Sequence, residues 1–127
     1  TKQVKATAEI VEYVDIYPTL CELAGLELPD HLQGNSCRDL LFDPDSKSDG
    51  IAVCQWQTGI TTIRDNMFYT EWVNEADVMQ FRMLYNHDVD PDENVNISEL
   101  SRNTLITEEM SAEMRRNRAE NYFAPLP

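Results

Sequence analysis

The sequence predicts an α+β fold: a small four-stranded antiparallel sheet with a C-terminal helix, preceded by extended chain and a short helix. Three observations carry this. Four runs rich in β-branched and aromatic residues follow one another at residues 51–57, 60–64, 67–73 and 81–85. Their connections hold Gly59, Asp65-Asn66 and residues 74–77, which suit hairpins and are too short for crossovers between parallel strands. Apolar residues at helical spacing flank the sheet on both sides.

The elements follow in order. Residues 4–14 alternate apolar and polar at Val4, Ala6, Ala8 and Ile10 before the phase shifts at Val11, Tyr13 and Val14, which fits a strand or an extended opening segment. Asp15 then reads as a helix start, with Pro18 tolerated in the first turn. Ile16, Leu20 and Leu23 share a helical face with Tyr17 beside them, and Gly25 offers a left-handed stop, so residues 15–24 form a short helix. Pro29 and Gly34 mark a loop before a turn of helix at 36–41. Residues 43–50, with Pro44, Gly50 and several Asp and Ser, read as a linker. After the sheet, Thr107 is placed as an N-cap with Glu108 and Glu109 in the first turn. Met110 and Met114 share one face, and Arg115, Arg116 and Arg118 lie toward the end, a charge order that suits the helix dipole. There is no internal repeat.

With 127 residues the chain suits one domain, and a hydrophobic content of 42% is enough for a packed core. A formal charge of −13 repels phosphate backbones and anionic lipid, so neither nucleic acid nor a membrane surface is an expected partner. The same field disfavours this chain as the main holder of a sulfate. No run reaches the roughly 18 apolar residues of a membrane span. Cys21, Cys37 and Cys54 show no Cys-x-x-Cys spacing and lie in apolar segments, which predicts buried free thiols, with one disulfide and a spare thiol as the alternative.

Candidate motifs are weak when taken singly. Asp88, Asp90 and Asp92, with Glu99 at the twelfth position, resemble the start of a calcium loop, but Glu93 replaces the required glycine and Pro91 interrupts it. His31 and His87 have no partner at metal-ligand spacing. No serine has the flanking glycines of a nucleophile elbow. Asn96-Ile97-Ser98 is a glycosylation sequon. Trp56, Trp72, Tyr69 and Tyr85 lie in the strand runs, where they could stack on a sugar ring but more often fill a core. Arg64 could reach an anion, although in so acidic a chain a neighbouring carboxylate is the expected partner.

Two stretches together are more specific. Val14-Asp15-Ile16-Tyr17-Pro18-Thr19-Leu20-Cys21-Glu22-Leu23-Ala24-Gly25-Leu26, followed by Pro29 and by Leu32-Gln33-Gly34-Asn35-Ser36, resembles the segment after the catalytic domain of type I sulfatases. The iduronate-2-sulfatase-like and related bacterial branches are the nearest. Leu84-Tyr85-Asn86-His87-Asp88-Val89-Asp90-Pro91-Asp92-Glu93-Asn94-Val95-Asn96-Ile97 is similar to the turn after the last strand of that family's small C-terminal sheet, and Ile63-Arg64 with Tyr69-Thr70-Glu71-Trp72 look like its paired strands. The resemblance covers about residues 4 to 100.

The resemblance implies an alkaline-phosphatase-like α/β catalytic domain elsewhere, with residues 1–42 as its end, 43–50 as a linker and 51–127 as a C-terminal subdomain. It also implies a periplasmic, secreted or lysosomal setting. The family's nucleophile is a formylglycine made from a Cys/Ser-x-Pro-x-Arg motif, and its calcium is held by acidic residues of the catalytic domain. No cysteine or serine here begins that motif, so no catalytic or metal residue carries over, and the chain alone is expected to be inactive. The expected role is to support the catalytic domain and to lend one wall, through Trp56 or Arg64, to a cleft for a sulfated substrate, a carbohydrate above all. The opening Thr1-Lys2-Gln3 leads us to expect a piece of a longer chain. Cut from its neighbour, such a piece should expose an apolar face and form homo-oligomers. The competing readings are a stand-alone acidic binding module and a piece of a pseudo-sulfatase.

Overall fold

The computed structural model describes residues 5–48, 50–76 and 78–120, the side chains of the last three excepted. Val4 of the opening segment, Asp49 of the linker, Asp77 of the third turn and the side chain of Arg118 lie outside the described residues. The chain divides into two compact units, Thr1–Ile51 and Ala52–Pro127.

In the first unit residues 5–12 are irregular chain without a ladder, the extended alternative of the two expectations. A 3-10 turn, Tyr13–Asp15, leads into α1, Ile16–Leu23. Helix formation begins earlier than Asp15 because the Asp15 carboxylate reaches back to the amide of Glu12 at 2.8 Å. Its other oxygen accepts from the Asn35 amide at 2.8 Å, which ties the returning loop to the helix start. Gly25, at φ 69°, ends α1. The Gly25 amide bonds the Glu22 carbonyl and the Leu26 amide bonds the Cys21 carbonyl, the paired pattern of a Schellman stop. A short α2, Arg38–Phe42, follows. Thr19, nearly buried, links the helices: its hydroxyl donates to the Asp15 carbonyl at 2.6 Å and accepts from the Cys37 amide at 2.9 Å. Residues 43–48 are held to the opening segment by Glu9, which accepts from Lys47 Nζ at 2.7 Å and from the Ser48 amide at 2.9 Å. The Lys47 ammonium and the Ser48 amide hold the Glu9 carboxyl below its ordinary pKa.

The second unit is the expected α+β arrangement. Strands β1 (Ile51–Trp56), β2 (Gly59–Arg64), β3 (Met67–Val73) and β4 (Met79–Asn86) form one sheet in the order β1-β2-β3-β4. β2 opposes β3 with Thr62 across from Tyr69, and β3 opposes β4 with Tyr69 across from Leu84, both antiparallel. Alternation along the strands gives the sheet two unlike faces. One carries Val53, Ile60, Tyr69, Val73 and Leu84 and is closed by α3, Thr104–Glu120. Met114 packs on Ile60 and Val73, and Met110 on Tyr69 and Leu84, so the expected methionine face is the core-facing stripe.

Thr107 is not the N-cap. A 3-10 turn, Ser101–Asn103, starts the helix early, and Thr107 sits in the next turn, buried, with its hydroxyl bonded to the carbonyls of Asn103 and Thr104. Glu108 and Glu109 therefore follow the first turn. The thiols are all free, but only Cys21 is buried, whereas Cys54 is exposed on the sheet's open side, against the expectation of burial.

Candidate functional site

The face of the sheet opposite α3 is the feature with the most chemical potential. β1 turns into β2 through Gln57 and Thr58 alone, so Trp56 and Gly59 flank a two-residue hairpin. Gly59 opposes Trp72, and Trp72 opposes Phe81. The Trp72 indole lies across Gly59: a Cβ there would come within 3.0 Å of Nε1. A glycine at this point lets one aromatic ring fold over the strand. Trp56 and Phe81 stand at either side, 79% and 72% exposed. The result is a row of aromatic side chains at one end of the open face, with neither Lys nor Arg among its members.

The core-filling expectation therefore fails for Trp56. It holds for Tyr69, which is fully buried. Trp56 is the last residue of its strand and points away from α3, and none of the described residues of its own unit covers it. Sequence reasoning missed Phe81 and Trp72 as its neighbours; the signal was the glycine directly after the two-residue turn.

Arg64 lies at the other end of β2, on the face beneath α3. Its guanidinium contacts Glu109 and Glu113, each at 3.3 Å. The expected carboxylate partnership is present, and the contacts place Arg64 at the sheet–helix junction. The structure does not bring Trp56 and Arg64 together: they occupy opposite faces and opposite ends of the sheet, so a ligand of sugar size cannot touch both.

The acidic turn after β4 is a closed hydrogen-bonded structure. Asp90 accepts from the amides of Asn94 at 3.0 Å and Val95 at 2.9 Å, and these backbone donors lower its pKa. Asp88 accepts from Asn66 at 2.6 Å. Glu99 is engaged by Arg82 at 2.7 Å and is lowered by that bond, far from a calcium ligand's role. His87 stacks on Phe68 with ring centroids 3.7 Å apart and bonds Glu93 at 2.9 Å. Among the described residues no group of three or more His, Cys, Asp or Glu is placed to hold a metal ion. In the sequence no cysteine or serine begins a Cys/Ser-x-Pro-x-Arg motif. The sequon's Asn96 has its amide in hydrogen bonds to β4, and Ser98 is buried.

In the first unit the stripe named from the sequence faces solvent. Ile16, Tyr17, Leu20 and Leu23 are 45–59% exposed, while Pro18, Thr19 and Cys21 turn inward. A cleft of about 240 Å³ opens beside Asp15, Cys37, Asp39, Leu40, Lys47 and Ser48. Its polar groups are paired within the unit, Lys47 with Glu9 and Cys37 with Thr19.

No family model and no curated protein matches the chain. Solved structures do. A 2-O GAG sulfatase superposes with a TM-score of 0.69 at 25% identity, covering 84% of this chain and 24% of that one. A candidate sulfatase of Bacteroides fragilis gives a TM-score of 0.77 at 18% identity, covering 89% of this chain and 26% of that one. A phosphonate monoester hydrolase of Agrobacterium radiobacter gives 0.71 at 19% identity over 88% and 25%. The chain spans about a quarter of the length of these structures, and over that quarter it carries the fold of bacterial sulfatases.

Proposed function

We propose that the chain is the supporting subdomain of a sulfuric ester hydrolase, packed beside a catalytic domain and lending its aromatic row to the wall of the substrate cleft. The observation that carries this reading is the combination of a sulfatase fold over 84% of the chain with a sheet closed on one face and aromatic on the other. The exposed apolar face of α1 suits burial against a large neighbour. Calcium and formylglycine belong, on this reading, to the catalytic domain, and the chain alone hydrolyses nothing. The nearness of residues 14–36 and 84–97 to the iduronate-2-sulfatase-like branch makes a sulfated carbohydrate the substrate to try first.

Aromatic rings stack on the apolar faces of sugars without needing charge, so Trp56 is the wall residue and Arg64 a support for α3. The test is a pair of variants in the full-length protein. Trp56→Ala should raise KM about fivefold with kcat held within about twofold, the pattern of lost uniform binding. Arg64→Ala should lower Tm and leave KM alone. An unchanged KM in Trp56→Ala removes the wall role, and sulfate release by the isolated chain removes the supporting role.

A further inference from the structure

β4 is an outer strand, so one of its sides has no strand to pair with. An uncovered edge of that kind is a template for pairing with another chain. Along β4 the backbone groups that point outward belong to alternate residues, here Arg82, Leu84 and Asn86. Each is met by the chain that follows β4: Asn86 by the 88–94 turn itself, Leu84 and Arg82 by the segment that returns after it. The Leu84 amide donates to Asn96 Oδ1 at 3.0 Å, and the Leu84 carbonyl accepts from the Ile97 amide at 3.0 Å. The Arg82 carbonyl accepts from Asn96 Nδ2 at 3.2 Å and from Ser98 Oγ at 3.3 Å. The Asn86 carbonyl accepts from the amides of Val89 and Asp90, at 3.2 and 2.9 Å.

A primary amide carries the same acceptor and donor as a peptide group, so Asn96 offers β4 what the backbone of a fifth strand would. Its Oδ1 also accepts from the Ser98 amide at 3.0 Å, which fixes the side-chain rotamer. Asn103 Nδ2 donates to the Ile97 carbonyl at 2.9 Å and fastens the segment to the start of α3. Ser98 is 2% exposed, so the segment is packed down and not merely adjacent.

We propose that residues 96–98 are a latch that closes the β4 edge with a side-chain amide standing in for a strand, and that opening the latch makes this edge competent to pair with a second copy of the chain. Two variants of the chain test it, by amide hydrogen exchange and by sedimentation velocity over a range of concentrations. Asn96→Ala removes both donor and acceptor. The Leu84 amide should then exchange at least about tenfold faster while Thr70, on the interior strand β3, is unchanged, and association should exceed that of the unsubstituted chain. Asn96→Asp keeps an acceptor for Leu84 but sets a carboxylate against the Arg82 carbonyl. It should leave Leu84 protected and still promote association. Unchanged Leu84 exchange in Asn96→Ala, an equal rise at Thr70, or no added association in either variant overturns the proposal.

Discussion

Tyr69 and Glu71, two residues apart on β3, are joined beneath α3 by a hydrogen bond of 2.7 Å from the phenol to the carboxylate, with both side chains almost wholly out of water. The second carboxylate oxygen lies 3.5 Å from Arg115. A buried carboxyl group in this position depends on its short bond. Tyr69→Phe should therefore destabilise the chain by about 1–3 kcal/mol in urea unfolding, because among the described residues Glu71 is left with only the long Arg115 contact. A loss below about 0.3 kcal/mol would mean that the phenol is irrelevant to Glu71.

Burial, reinforced by the bond to Glu71, raises the Tyr69 pKa far above the usual tyrosine value. For an acid whose folded pKa is raised, the contribution to stability is intact below the unfolded value and is lost as pH climbs past it, here from about pH 10 upward. Spectrophotometric titration should show a late phenolate step well above the usual tyrosine range. Tyr69 should ionise only as the chain unfolds. Tyr69→Phe should abolish that late step.

Thr62 faces α3 from β2, fully buried, and its hydroxyl has no hydrogen-bond partner among the described residues. Thr62→Val keeps the shape and removes the orphaned group. It should stabilise the chain by about 1 kcal/mol, read as a higher urea midpoint at unchanged slope. A destabilised variant would show that the hydroxyl is satisfied in solution.

Asp90 is held below its ordinary pKa chiefly by the Asn94 and Val95 amides. A depressed carboxylate stabilises above its unfolded pKa, and that contribution disappears as pH falls through the folded value, so the turn should loosen below about pH 4. The Val95 amide, corrected for intrinsic rate, should lose protection between pH 6 and pH 3, and Asp90→Asn should flatten the dependence. Equal protection at both pH values would contradict the assignment.

The first two of the three hairpins turn on residues that are not glycine. Gln57 and Asp65 each have a φ of 52°, in the left-handed region that costs a side chain energy. Gln57→Gly should raise stability by roughly 0.5–1 kcal/mol. Asp65→Gly should gain less, because Asp tolerates this region better. Thermal unfolding of the two variants decides the order.

The sheet was legible because two signals agreed: runs rich in β-branched and aromatic residues, and connections too short for crossovers. β3 needed no adjustment. β4 begins earlier than its sequence run because Met79 and Gln80 are exposed and carry no apolar alternation. The start of α3 was hidden because Thr107 has the composition of a cap but bonds backward inside the helix. The apolar stripe of α1 was plain in sequence, whereas its exposure depends on what surrounds the helix, which spacing does not encode. Trp56 and Arg64 were chosen by residue type. Their separation to opposite faces follows from strand parity and turn length, and these become usable only once the register is known.

The sheet's order in space is its order along the chain, with no crossover and no partner borrowed from a distant segment. Each strand meets the one just before it, so loop closure costs little and pairing can proceed step by step as the polypeptide emerges during synthesis. The methionines of α3 arrive last, onto a surface already assembled. A unit built this way carries its folding instructions within a single contiguous stretch, which suits it to being moved between larger proteins as an intact cassette.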